Sequence, residues 1–123
     1  MKPLKRNNIL IFGPQGSGKG TQADLLAQKL RIPHISPGAM YRQIQEEDTD
    51  FARLVENVLN QGKLMPNRYT NEIMGKRVRE EDCKNGFILD GYPRNRSQAE
   101  YILGAAPIDC VIVLTLPDEG GVK

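Results

Sequence analysis

The chain is 123 residues long, with 39% hydrophobic and 26% charged residues, enough for one domain with a buried core and apolar enough that disorder is not expected. Seventeen basic against fifteen acidic side chains leave a net charge of +2, a balance that argues against a basic nucleic-acid footprint. No apolar run approaches the roughly 20 residues of a membrane span, residues 1–8 lack the apolar stretch and cleavage site of a signal peptide, and Cys83 and Cys110 fit neither a metal spacing nor a disulfide framework, so the expectation is a soluble, cytoplasmic protein.

Asn8-Ile9-Leu10-Ile11-Phe12 is a short run, apolar from Ile9 onward and ended by Gly13, as a strand buried on both faces requires. Gly18 to Leu30 reads as a helix with Ala23, Leu26 and Leu30 on one side, stopped at Ile32-Pro33. His34-Ile35-Ser36 is a very short second strand, and Pro37 to about Glu46 a short helix. Phe51, Leu54, Val55, Val58 and Leu59 give the clearest amphipathic helix, with Asp50 as the expected cap of its start and Gly62 of its end. A polar helix is expected from about Asn67 to Glu81, with Ile73 and Val78 inward. Gly86-Phe87-Ile88-Leu89 is a third strand, Ser97 the expected N-cap of a helix through Leu103, and 110–114 a fourth strand. Pro117-Asp118-Glu119 would open a further helix. Apolar runs alternating with helical patterns predict a parallel α/β sheet.

Gly13-Pro14-Gln15-Gly16-Ser17-Gly18-Lys19 follows a buried strand and opens a helix, the context that a phosphate-binding loop demands. Its glycines let the backbone approach a ligand without a Cβ in the way. Successive N–H groups then form an anion nest, reinforced by the unpaired donors and dipole of the helix start. Lys19 adds a full charge that can reach the β/γ-phosphates. Gly20 stands where Ser or Thr is common, so Thr21 is one helical position too late for direct Mg²⁺ ligation.

Gly18-Lys19-Gly20-Thr21-Gln22-Ala23, with glycine after the lysine, resembles the adenylate kinases, and three further blocks resemble the same family in the same order. They are Ile32-Pro33-His34-Ile35-Ser36-Pro37-Gly38-Ala39-Met40-Tyr41-Arg42, then Gly62-Lys63-Leu64-Met65-Pro66, then 85–94 (Asn85 to Arg94) with Gln98 beyond. The resemblance implies a three-layer α/β/α sandwich with a P-loop NTPase-type parallel sheet, order 2-3-1-4, and a small helical insertion at about 36–65 that closes over a nucleoside monophosphate. It implies phosphoryl transfer between ATP and AMP, giving two ADP, with Mg²⁺. Gly13, Gly16, Ser17, Gly18, Lys19, Gly20 and Thr21 would hold ATP. Pro37, Arg42, Lys63, Leu64, Met65, Gly91, Tyr92, Pro93, Arg94 and Gln98 would hold AMP, with Arg42 on its phosphate and Gln98 on its adenine edge. Lys19, Arg94 and Asp90 would carry the catalytic work, Asp90 by orienting Mg²⁺ through water. Arg guanidinium suits a phosphate bidentately, and a Gln amide offers a donor and an acceptor.

Without the resemblance these side chains have plainer readings. Arg42 and Arg94 read as solvated arginines, Asp90 equally as a turn former, Lys63 as a helix C-terminal charge, Gln98 as a helix-surface residue and His34 as structural. Pro37, Ala39 and Gln15 depart from the family's Thr, Asp and Pro. The family also continues into a lid, a fifth strand and a C-terminal helix. The expectation is therefore a single domain without lid or fifth strand, an exposed fourth-strand edge open to self-association, and transfer impaired by missing arginines of a kind worth about 10³–10⁵ in rate. A weak nucleotide-binding module, or a P-loop kinase for another monophosphate or a small metabolite, are the alternatives.

Overall fold

The computed structural model describes residues 6–116; the helix opening expected at 117–119 lies outside them. Strands β1 (Asn7–Phe12), β2 (His34–Ile35), β3 (Gly86–Asp90) and β4 (Cys110–Val113) form one parallel sheet in the order 2-3-1-4. Ile9 lies opposite Ile88 on one side and Cys110 on the other. Helices α1 (Lys19–Leu30), α2 (Pro37–Gln45), α3 (Asp50–Asn60), α4 (Asn67–Val78) and α5 (Arg96–Ala105) fill the connections.

Alternation along the central strands builds the layers, because successive strand side chains point to opposite faces. Ile9, Ile11 and Ile88 pack with Ala23 and Ala27 of α1. Leu10, Phe87 and Leu89 pack with Met74 and Val78 of α4 and Ile102 of α5. Ile88 is fully buried, and losing a core side chain of this kind costs about 2–5 kcal/mol. A separate small cluster of Tyr41, Val55 and Met65 joins α2 and α3 to the flank of α4. Asn8 is a buried polar residue on β1 whose amide donates to the Pro107 carbonyl at 2.7 Å, while its N–H donates to Asp109 Oδ2 at 2.9 Å. These bonds tie the approach to β4 against the central strand.

Four helix ends differ from the sequence expectation, the simplest being α5, which runs to Ala105 rather than Leu103. Thr49, not Asp50, caps α3: its backbone is extended (φ −136°, ψ 160°) and its hydroxyl accepts from Ala52 N–H at 3.0 Å. Asp50 becomes the first helical residue and accepts from Arg53 at 2.7 Å. Asn95, not Ser97, caps α5 by accepting from Gln98 N–H at 3.0 Å, so the helix starts at Arg96. Helix α4 stops at Val78 because Glu80 turns extended (ψ 160°), and residues 81–83 form a separate 3-10 turn held by Arg77 on Asp82 at 2.7 Å. Gly62 lies just beyond α3 at φ +73°, the left-handed position that ends helices.

Candidate functional site

The chain leaves β1 at Phe12 and enters α1 through a glycine-dependent turn. Gly16 and Gly18 have φ of +89° and +82°, where an L side chain is strained. Gly18 is the N-cap of α1 and brings no side chain, so no cap takes up the first-turn N–H groups. The outer side of the loop is open: Pro14, Gln15, Gly16, Gly18, Gly20 and Thr21 are exposed. Its inner side is packed, since a Cβ on Gly13 would stand 2.7 Å from Ser17 Oγ and 3.1 Å from Leu114. The loop is thus an open, glycine-rich turn on a fixed base at a helix start, the setting in which backbone donors can meet a polyphosphate.

Lys19, on the first turn of α1, places its ammonium on Asp90 Oδ1 at the carboxyl end of β3. The other carboxylate oxygen lies 2.8 Å from His34 Nε2 on β2, and His34 Nδ1 lies 2.6 Å from Asp24. The Asp90 side chain is only 9% exposed. Burial works against its charge, but the hydrogen bonds from Lys19 and His34 outweigh burial and hold its pKa below the ordinary value. Burial likewise opposes a charged His34, yet its hydrogen bonds to Asp24 and Asp90 raise its pKa above 6.5. A buried carboxylate is thus kept ionised between the Lys19 ammonium and the His34 imidazole at the end of a central strand.

A cavity of about 310 Å³ opens next to this cluster, between α2, α3, α4 and the turn after β3. Its apolar wall comes from Pro37, Tyr41, Leu59, Leu64 and Met65, and its polar wall from Arg42, Arg94 and the carboxamides of Asn67, Asn95 and Gln98. Gly91 joins cavity and loop. Its φ is +77°, and the point where its Cβ would stand lies 3.3 Å from Arg94 Nη2 and 4.0 Å from Lys19 Nζ. Arg94 Nε donates to the Gly91 carbonyl at 2.8 Å, which turns the guanidinium back over the turn. Arg42 lies over Gly38, its Nη1 3.3 Å from the corresponding point.

A family model described as adenylate kinase matches residues 11–122. The chain belongs to the adenylate kinase family. It is 46% identical over 92 residues to an adenylate kinase of Thermoanaerobacter sp. (strain X514), an alignment covering 75% of this chain and 42% of that protein. It is 43% identical over 122 residues to one of Thermosipho africanus (94% and 56% covered) and 40% identical over 117 residues to one of Clostridium tetani (91% and 54% covered). The chain spans about half the length of the curated relatives it matches.

Against the adenylate kinase resemblance, Pro37, Arg42, Leu64, Met65, Gly91, Arg94 and Gln98 all line the cavity, whereas Lys63, Tyr92 and Pro93 do not. Tyr92 is fully buried, with its hydroxyl donating to Asn71 at 2.6 Å, and Lys63 is exposed. From the sequence His34 has only a structural role, and nothing there marks Asp24, Asn67 or Asn95 as site residues. The signal for His34 was its place on β2: the strand lies beside β3, with His34 opposite Ile88, two residues before Asp90. Asn67 sits at the start of α4 immediately after the Gly62–Pro66 block, and Asn95 immediately after Arg94.

Among the described residues no helix is long and apolar enough to cross a membrane, and no group of three or more His, Cys, Asp or Glu is placed to hold a metal ion.

Proposed function

We propose that this chain handles the two nucleotides of an adenylate kinase reaction, passing the γ-phosphoryl of ATP to AMP to give two ADP. The observation that carries the reading is the meeting at Gly91: the loop lysine and the cavity arginine converge on one glycine, so two phosphate-binding surfaces share an edge. In this reading the amides of 13–21 and Lys19 hold the ATP phosphates. AMP fills the cavity, with Arg42 and Arg94 on its phosphate, Gln98 on its base, and Pro37, Leu64 and Met65 along its ribose and ring. Lys63, Tyr92 and Pro93 shape the surrounding backbone. The insertion at 36–65 closes over the acceptor, within a single domain.

The step itself needs positioning and charge neutralisation more than covalent help. An AMP phosphate oxygen attacks the γ-phosphorus as the β–γ bridging oxygen leaves on ADP. Lys19 and Arg94, which meet beside Gly91, offset the charge on the transferring group. Lys19 first releases Asp90, whose carboxylate keeps His34 as partner. One buried carboxylate fits an Mg²⁺ carried by the phosphates and held through water, because Mg²⁺ retains several waters and needs only one or two carboxylates. Asp90 would hold it through water, and the ion would supply neutralisation of phosphate charge. A cytoplasmic setting goes with this role, as does self-association through β4, the outer strand of the described sheet, where Val111 and Val113 are 56% and 64% exposed.

ADP formation from ATP, Mg²⁺ and AMP by the purified chain tests the reading. Production of two ADP per AMP consumed supports it. No ADP together with no saturable AMP binding overturns it, and turnover only with CMP, UMP or a small metabolite moves the acceptor assignment elsewhere.

A further inference from the structure

The three carboxamides on the cavity wall form a chain whose polarity is set at both ends by backbone N–H groups, which can only donate. Arg94 N–H donates to Gln98 Oε1 at 2.8 Å, which fixes the oxygen end of that amide. Gln98 N–H donates to Asn95 Oδ1 at 3.0 Å as the helix cap, which fixes the oxygen end of Asn95. The two remaining amino groups then meet on one acceptor: Gln98 Nε2 donates to Asn67 Oδ1 at 3.0 Å, and Asn95 Nδ2 donates to the same oxygen at 3.1 Å. The Asn67 amino group completes the ring towards Asn95 Oδ1 at 3.4 Å. Rotating Gln98 by half a turn would set an amino group against the Arg94 N–H and an oxygen against Asn67 Oδ1. Asn67 could accommodate that only by turning its own amide against Asn95.

We infer that Asn67 and Asn95 complete the lock that the Arg94 N–H begins on the Gln98 amide, so that this chain distinguishes a 6-amino from a 6-oxo purine monophosphate. The inference rests on the cavity being the AMP site. Gln98 is 7% exposed, and the lock consumes one lone pair of Oε1 and one hydrogen of Nε2. One acceptor position and one donor position remain for a ligand, in a fixed order. Adenine offers an amino donor at C6 beside an acceptor at N1. The 6-oxo ring offers an acceptor at C6 beside a donor at N1, the reverse order. A freely turning amide serves both rings; a locked one matches one and sets like against like with the other. Asn67 is thus a positioning residue acting through Gln98, and the group it needs is an acceptor oxygen rather than a carboxamide.

The test is the ratio of dissociation constants for inosine monophosphate and AMP, two ligands that differ only at this edge, measured by calorimetry so that no turnover is required. The parent chain should prefer AMP by about 10- to 100-fold, the range for a well-formed bidentate base contact. Asn67→Leu should reduce that preference by about tenfold, one such contact's share. Asn67→Asp, which keeps the acceptor oxygen, should restore the ratio even where its charge weakens both ligands alike. Asn95→Asp keeps the helix cap but sets an oxygen against Asn67 Oδ1, and should loosen the ratio as Asn67→Leu does; it carries the test if circular dichroism shows Asn67→Leu unfolded. An unchanged ratio in a folded Asn67→Leu or Asn95→Asp chain overturns the lock while leaving the AMP site standing. Failure of the parent chain to bind AMP overturns the site reading, and the lock with it.

Discussion

Replacing Lys19 by Met keeps the aliphatic stem and removes the ammonium that sits on Asp90, so it should destabilise the chain even with no nucleotide present. Stripping a buried carboxylate of its partner costs about 3–5 kcal/mol when nothing else compensates. Here His34 Nε2 remains 2.8 Å away and the Lys19 side chain is 24% exposed, so part of the charge stays paired and water screens the rest. The loss expected is about 1–2 kcal/mol after that discount. A chain of 123 residues unfolds with an entropy near 2.1 cal/mol/K per residue, which makes this a fall of roughly 4–8 °C in Tm. Asp90→Asn in the same background removes the uncompensated charge and should recover more than half of the loss. Thermal unfolding of the parent, both single variants and the double variant at pH 7 forms a complete cycle. A Lys19→Met midpoint within about 1 °C of the parent, or losses that simply add in the double variant, would refute the pairing of Lys19 with Asp90.

His34 and Asp90 give the stability a pH window. The raised His34 pKa means its contribution is fully present below 6.5 and fades as pH rises through the folded value, while the lowered Asp90 pKa means its contribution is present above 3.8 and fades as pH falls through the folded value. His34→Gln should therefore cost more at pH 6 than at pH 9, and parallel Tm–pH curves for the two proteins would contradict this. Gly91→Ala forces a side chain into φ +77° and against the Arg94 guanidinium; it should cost about 1–2 kcal/mol in urea unfolding and weaken AMP binding, and no change in either measurement would count against the junction at Gly91. Sedimentation should show concentration-dependent dimers that Val111→Lys with Val113→Lys abolishes, whereas a monomer at every concentration would dispose of pairing through β4.

What could be read from the sequence was what is spelled in consecutive residues. The apolar runs at 9–12 and 87–89 read as strands from their shortness and flanking glycines, and the glycine spacing before Lys19 needs only its own neighbours to make sense. Helix starts were harder where two capping residues compete: Thr49 and Asp50 are both good caps, as are Asn95 and Ser97, and the choice depends on which backbone position turns extended. The polar network was hidden for a different reason. His34 and Asp90 are 56 residues apart and meet only because β2 lies beside β3. Asn67 stands 28 and 31 residues from Asn95 and Gln98, and becomes their common acceptor only once α4 and α5 pack on the same face of the sheet. The family blocks marked the cavity well where side chains face inward, as at Arg42 and Gln98. They could not tell that Tyr92 turns into the core towards Asn71.

In the proposed reaction the two nucleotides occupy separate surfaces that meet at Gly91. Backbone amide shifts on titration with a non-hydrolysable ATP analogue and, separately, with AMP test it most directly. The triphosphate should move the amides of residues 13–21, AMP those around Arg42, Met65 and Gln98, and both should move Gly91. Shifts by both ligands over one and the same set of residues, or by neither within these two sets, would contradict it.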